Sequence, residues 1–141
     1  MDGAEVVKHE GRGRVSLELR DDNLYLDGKK VELFLSERQK GENRVVGHEL
    51  RVELEGGERI LLNSNVLDYI FDHPELFPEH WKKDENGDTR YIFFWGSIFR
   101  GPSDGRLFVR CLCWVDDGLS RHYGWLAFDW CRRYASASVA S

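Results

Sequence analysis

Alternation with a period of two dominates the first part of the chain. Val15, Leu17 and Leu19 alternate with Ser16, Glu18 and Arg20, which predicts a half-buried strand. Leu24-Tyr25-Leu26 and Val31-Glu32-Leu33-Phe34-Leu35 flank Asp27-Gly28, a pair that tolerates positive φ and so predicts a hairpin turn. Residues 36–47 are polar and read as a loop. Leu50, Val52 and Leu54 then alternate again, Gly56-Gly57 turns the chain, and Ile60-Leu61-Leu62 returns. Everything before Asn63 therefore reads mostly as β-hairpins.

The period changes at Asn63. Val66, Leu67, Ile70 and Phe71 form an apolar stripe at helical spacing. Asn63-Ser64-Asn65 supplies cap side chains, and Asp68 stands three residues after Asn65, where a carboxylate can reach back to a free N–H. His73-Pro74 stops the helix, because proline disfavours helical geometry at the residue before it. Pro74 opens a short turn through Leu76-Phe77, and Pro78 another through Trp81. Residues 82–88 read as an exposed loop.

Strands return in the last third. Residues 90–100 and 106–115 are joined by Gly101-Pro102-Ser103-Asp104-Gly105, a turn-rich loop. With those five residues as the loop, Phe99 lies near Leu107, Trp95 near Cys111 and Phe93 near Cys113. One face then carries Tyr91, Phe93, Trp95, Phe99, Leu107, Val109, Cys111, Cys113 and Val115. The other carries Ile92, Phe94, Gly96, Ile98, Arg100, Phe108, Arg110, Leu112 and Trp114. Both faces are largely apolar, so the second needs a cover: the helix, Trp125-Leu126-Ala127-Phe128, or a partner.

The expected fold class is α+β, mostly antiparallel β: a curled β-meander or small barrel of about six or seven strands, with one helix near residues 65–81 crossing it. A single domain spans 1–141. Residues 1–14 form a loose N-terminal arm and 135–141 a frayed tail.

Length and composition agree with that architecture. The chain has 141 residues, 41% hydrophobic and 32% charged, with 14 Gly and only 3 Pro. Those values exclude collagen-like, Pro-rich and wholly disordered classes. Tyr91–Phe99, the longest uncharged stretch, is far shorter than the roughly 20 residues of a membrane-spanning helix. The opening Met1-Asp2-Gly3-Ala4-Glu5 lacks the basic flank and apolar run of a signal peptide, so the expected compartment is the cytoplasm.

The net charge of −5 conceals an asymmetry. Residues 1–88 hold 21 Asp+Glu against 13 Lys+Arg, whereas residues 89–141 hold 4 against 7, and all seven bases there are Arg. The same segment contains Trp95, Trp114, Trp125 and Trp130. Arg and Trp are over-represented where surfaces bind other macromolecules, and they also serve as core and edge residues of sheets.

Several long stretches resemble a family of small proteins from uncultivated candidate-phyla bacteria. They are residues 23–33, 62–69, 73–82, 92–96 and 107–114, and the likeness covers most of 23–141. It departs at Arg133–Ser141, where that family often has Asn-Pro-Ala. The resemblance is a family label and brings no activity, ligand or catalytic residue with it.

Chemical constellations are sparse. Cys111, Cys113 and Cys131 with His122 could supply four zinc ligands, since cysteines two apart project from one face of a strand. The paired two-residue spacers of structural zinc sites are missing, so buried reduced thiols are the expectation. An odd cysteine count also argues against disulfides. His73-Pro74-Glu75-Leu76-Phe77-Pro78-Glu79-His80 holds two His and two Glu, but its prolines break the helix that would align them, and helix-end capping is expected instead. His9, His48 and His122 cannot be paired with a nucleophile by spacing. No phosphate-binding glycine loop is present.

A non-enzymatic domain without a cofactor or metal is therefore expected. It would bind a protein partner through an aromatic and arginine face built from Arg100, Phe108, Arg110, Trp114, Trp125 and Trp130. Single-stranded nucleic acid is the alternative, because Gly105-Arg106-Leu107-Phe108-Val109-Arg110 faintly resembles an RNA-recognition strand and the same face can stack bases. A sugar-like ligand between Trp125 and Trp130, or a hydrolase site assembled by the fold, is a third reading. A homodimer is left open.

Overall fold

The computed structural model describes residues 3–10 and 16–141. Its strands, in chain order, are β1 (Glu5–His9), β2 (Leu17–Arg20), β3 (Asn23–Leu26), β4 (Lys29–Lys30), β5 (Glu32–Phe34) and β6 (Val45–Val46), followed by helix α1 (Gly47–Glu55). Then come β7 (Ile60–Leu61), helix α2 (Ser64–Asp72), β8 (Tyr91–Phe93), β9 (Ser97–Arg100), β10 (Leu107–Val115), β11 (Gly118–Trp125), β12 (Asp129–Trp130) and β13 (Tyr134–Val139). The main sheet runs β1-β9-β10-β8-β13-β5, with β11 added to β10 and β7 to β13. Small ribbons β2-β3-β4 and β12-β6 accompany it. All pairings are antiparallel except β13 with β8. The fold is thus mixed α and β with a mostly antiparallel sheet, and its strand order closes no barrel among the described residues.

The hairpin at Asp27-Gly28 forms where the turn chemistry predicts it, whereas the one expected at Gly56-Gly57 does not. Asp27 and Gly28 both have positive φ, as the two-residue turn between β3 and β4 demands. Asp21-Asp22 and Asp116-Asp117 adopt the same left-handed pair between β2 and β3 and between β10 and β11. Aspartate visits this region more readily than most residues with a Cβ. Helix α2 also forms as expected, capped by Asn63, whose side-chain oxygen accepts from the N–H groups of Asn65 and Val66. Asp68 takes no part in that cap. Single turns of 3-10 helix follow at Pro74–Leu76 and Glu79–Trp81.

Other expectations fail, each for a tertiary reason. Residues 47–55 are a helix, not a strand: Leu50 and Leu54 are buried four apart while Val52 is 72% exposed. No side chain caps this helix. Its first two N–H groups, of Gly47 and His48, donate to the carbonyls of Phe128 and Leu126, each at 3.0 Å. A Cβ at Gly47 would stand 2.7 Å from the Leu126 Cα, so glycine permits the approach that lets a distant turn cap the helix.

The predicted strand over 90–100 is interrupted, because the chain turns at Trp95 and Gly96 between β8 and β9, after Phe94 has donated its N–H to the Arg110 carbonyl. Gly96 lies against the backbone of Leu62, where a Cβ would meet the carbonyl carbon at 2.7 Å. The interruption changes the register. Phe93 pairs with Cys111, not Cys113, and Phe99 pairs with Phe108, not Leu107.

Both termini also depart from the sequence reading. Glu5–His9 is not a loose arm but edge strand β1, hydrogen-bonded to β9. Lys8 reaches Glu55 at 2.8 Å and ties β1 to α1. Residues 1, 2 and 11–15, which include Val15 and the Gly-Arg repeat, lie outside the described residues. Tyr134–Val139 is not frayed but a buried strand flanked by β8, β5 and β7. Ala135, Ala137 and Val139 enter one hydrophobic cluster while Ser136 and Ser138 are buried on the other face. A strand covered on both sides suits small side chains.

Both faces of the β8–β10 region are core, which answers the question its double apolar pattern raises. Ile92, Phe94 and Leu112 pack with Leu67 and Ile70 of α2, along with Trp81 and Phe77. On the opposite face Phe93, Trp95, Val109 and Cys111 pack with Leu50 and Leu54 of α1, along with Leu126 and Trp130. Each helix covers one face, and Trp125–Phe128 contributes through Leu126.

Candidate interaction surface

The β10–β11 hairpin projects one row of side chains on the α2 side. Cross-strand pairs Phe108↔Trp125, Arg110↔Tyr123, Leu112↔Arg121 and Trp114↔Leu119 share that face, and Phe99 joins opposite Phe108. Helix α2 covers only part of the row. Beyond it stand four aromatic rings in contact: Phe108 lies 5.4 Å from Phe99, 5.1 Å from Tyr123 and 5.6 Å from Trp125, while Tyr123 meets Trp125 at 5.3 Å. Phe108 is buried beneath the others, and Tyr123 is 44% exposed.

A charged cluster borders these rings where α2 ends its cover. The Arg110 guanidinium donates to both oxygens of Asp68, at 2.8 and 3.4 Å, and Arg121 donates to the nearer oxygen at 3.3 Å. Arg121 also lies over the Phe71 ring at 4.0 Å. One carboxylate therefore serves two guanidiniums, and the group keeps a positive excess. A shallow depression of about 500 Å³ lies over the hairpin, lined by Phe99, Phe108, Arg110, Arg121, His122 and Tyr123, with Ala4 at its rim.

Of the six residues singled out from sequence, three come together here: Phe108, Arg110 and Trp125. Trp114 is on the same face but lies beneath Phe77, which stacks on it at 6.0 Å, and beneath the Lys82 ammonium at 3.8 Å. Arg100 turns to the other face, because a register one residue from the expected one pairs it with Leu107; its neighbour is Glu5 at 3.7 Å. Trp130 is core, packed on Phe93 at 4.2 Å with its indole N–H donating to the Trp125 carbonyl. A ligand groove between Trp125 and Trp130 is thereby removed.

Sequence reasoning missed Asp68, Arg121, Tyr123 and Phe99. Tyr123 and Arg121 carry a detectable signal, since both alternate along β11 in phase with Trp125. Asp68 carries none, because its cap-like spacing pointed elsewhere.

The remaining constellations are structural. Cys111 and Cys113 are buried, and burial pushes both thiols above their ordinary range, Cys113 adding to the rise at Cys111. Among the described residues no group of three or more His, Cys, Asp or Glu side chains could hold a metal ion. His73 ends α2: its N–H donates to the Ile70 carbonyl, and its ring lies 2.9 Å from the Tyr69 carbonyl and stacks on Tyr69. His80 pairs with Asp22 at 2.8 Å.

The fold also assembles one pair that spacing could not. The Ser97 hydroxyl lies 2.6 Å from His9 Nδ1, and Asn65 lies 3.3 Å from the other ring nitrogen. Ser97 is fully buried and its oxygen already accepts the Ser64 N–H at 2.9 Å, so a substrate carbonyl has no access to it. The group clamps the start of α2 to β9 and β1.

The fold and surface define an α+β domain with an aromatic, arginine-bordered hairpin. Comparison with family models, with curated proteins and with solved structures finds no match to the chain. No helix among the described residues is long and apolar enough to cross a membrane.

Proposed function

We propose that the protein is a non-enzymatic interaction domain of the cytoplasm, and that the α2-side face of the β10–β11 hairpin meets a protein partner. One observation carries the reading: exposed Tyr123 stands on a four-ring aromatic cluster, bordered by Arg110 and Arg121 around a single carboxylate. Tyr and Arg beside a desolvated aromatic floor are the residue types that dominate protein interfaces. Single-stranded nucleic acid is the competing occupant, since an exposed ring beside a guanidinium can stack a base. Asp68 between the two arginines and the net charge of −5 weigh against it.

The test is co-purification of the tagged protein from its host, run with and without nuclease, for the wild type and for Tyr123→Ala and Arg121→Ala. The expected result is a stoichiometric protein that survives nuclease and is lost with both variants, whose melting temperatures stay near wild type. A companion that disappears with nuclease would install the nucleic-acid reading. A clean single band would overturn both.

A further inference from the structure

β11 ends the sheet beyond β10: among the described residues it pairs with no other strand. The phase of the hairpin decides which of its backbone groups are unspent. Val115↔Gly118 closes the two-residue turn and so exchanges both ladder bonds, and the Leu126 N–H donates to the Leu107 carbonyl at 3.0 Å in the same phase. The ladder thus uses Gly118, Ser120, His122 and Gly124. The N–H and C=O groups of Leu119, Arg121 and Tyr123 point away from β10.

Natural sheets shield such an edge with bulges, prolines or short strands. β11 has none of these: it runs through eight paired residues without a shift in register, and its centre, Arg121-His122-Tyr123, is exposed. Its one protection is charge, and that charge selects the occupant. A second copy added antiparallel, with all three free residues bonded, would set Arg121 directly opposite its own counterpart, and like charges in that position repel. Arg121, by contrast, spends one guanidinium nitrogen on a carboxylate it shares with Arg110, and its remaining donors face no acceptor among the described residues. The nearest acids along the strand, Asp116 and Asp117, sit at the turn beyond Leu119.

Building on the interaction reading above, we infer that the outer edge of β11 accepts an extended acidic segment of a partner protein as an added antiparallel strand. The segment places an Asp or Glu opposite Arg121 and an apolar residue two positions away, where it meets Tyr123 and the rings beneath it. Backbone bonds to Leu119, Arg121 and Tyr123 hold the strand, and Arg121 sets its charge.

The experiment uses the full chain, 15N-labelled, and three short blocked peptides: one with Glu and Val at successive second positions and Thr between them (the Glu–Val peptide), its counterpart with Lys in place of Glu (the Lys–Val peptide), and the Glu–Val peptide N-methylated at alternate amides. Expected are hydrogen-exchange protection of the Leu119, Arg121 and Tyr123 amides by the Glu–Val peptide, and affinity weaker by about tenfold or more after N-methylation on the paired side. The variant Arg121→Glu should reverse the preference toward the Lys–Val peptide.

Absence of binding by the Glu–Val peptide, binding that leaves those amides unprotected, equal binding of the Lys–Val peptide to wild type, or wild-type dimerisation through this edge would each overturn the inference. A co-purified partner that depends on Tyr123 yet still binds with the edge occupied by the Glu–Val peptide would overturn the added strand alone and leave the interaction domain standing.

Discussion

Single residues carry two predictions that follow from protonation. Asp22 accepts the N–H groups of Glu79 and His80 at 2.6 and 3.0 Å and the His80 ring at 2.8 Å, capping the last 3-10 turn from a distant hairpin. Burial pushes its carboxyl up, but the His80 side chain and the two backbone donors outweigh burial and hold it below its ordinary value. A depressed carboxylate stabilises the fold above its unfolded pKa, and that stabilisation fades as pH falls from there through the folded value. Melting temperatures of wild type and Asp22→Asn should therefore differ at neutral pH, begin to converge as pH falls past the ordinary value of 3.8, and meet only below the depressed folded value. Cysteine reactivity gives the second expectation. Half-buried Cys131 should react with a thiol reagent in the native protein, while Cys111 and Cys113, raised by burial, react only after unfolding. Mass spectrometry of the labelled peptides reads this directly.

At the scale of elements, the hairpin and the first helix offer contrasting tests. Asp117 holds φ at +64° in the turn that sets the β10–β11 register, and glycine adopts that conformation without a Cβ penalty. Asp117→Gly should stabilise the protein by about 0.5 kcal/mol in chemical denaturation, the relief exceeding the added entropy of the unfolded chain. For α1, Leu50→Ala should cost about 2–5 kcal/mol because Leu50 is fully buried, while Val52→Ser should fall within about 0.5 kcal/mol of wild type. A strand in which positions 50, 52 and 54 share one face would make both substitutions costly. The misreading has a simple cause: residues four apart share a face in a helix and also in a strand, so Leu50 and Leu54 fit both periods. What separates them is Val52, and nothing in the sequence says that Val52 faces water.

The whole molecule depends on contacts between distant segments. β13 lies beside β8, β5 and β7, so it joins the start of the chain to its last third. Removing residues 134–141 should abolish the cooperative thermal transition, where loss of a frayed tail would leave it unchanged. The candidate surface is equally nonlocal: Asp68 comes from α2, Arg110 and Arg121 from the two arms of the hairpin, and Phe99 from β9. The sequence exposed the aromatic and arginine enrichment of this region, and three of its residues do gather on one face. It could not separate Phe108, Arg110 and Trp125 from Arg100 and Trp130, because a register one residue away changes which face Arg100 occupies.

Local chemistry is what the sequence determined by itself. The Asp27-Gly28 turn, the Asn63 cap, the Pro74 stop and the alternation along β2 act within a few residues, where φ, sterics and side-chain reach decide the outcome. Tertiary structure alone decided α1, whose free N–H groups find carbonyls of residues 126–128, and the break at Phe94–Gly96, where Leu62 presses backbone to backbone. It also decided the burial of the Ala/Ser strand and the sharing of Asp68 between two arginines. Each of those depends on a partner far along the chain, whose position is a property of the packed molecule rather than of any window of sequence.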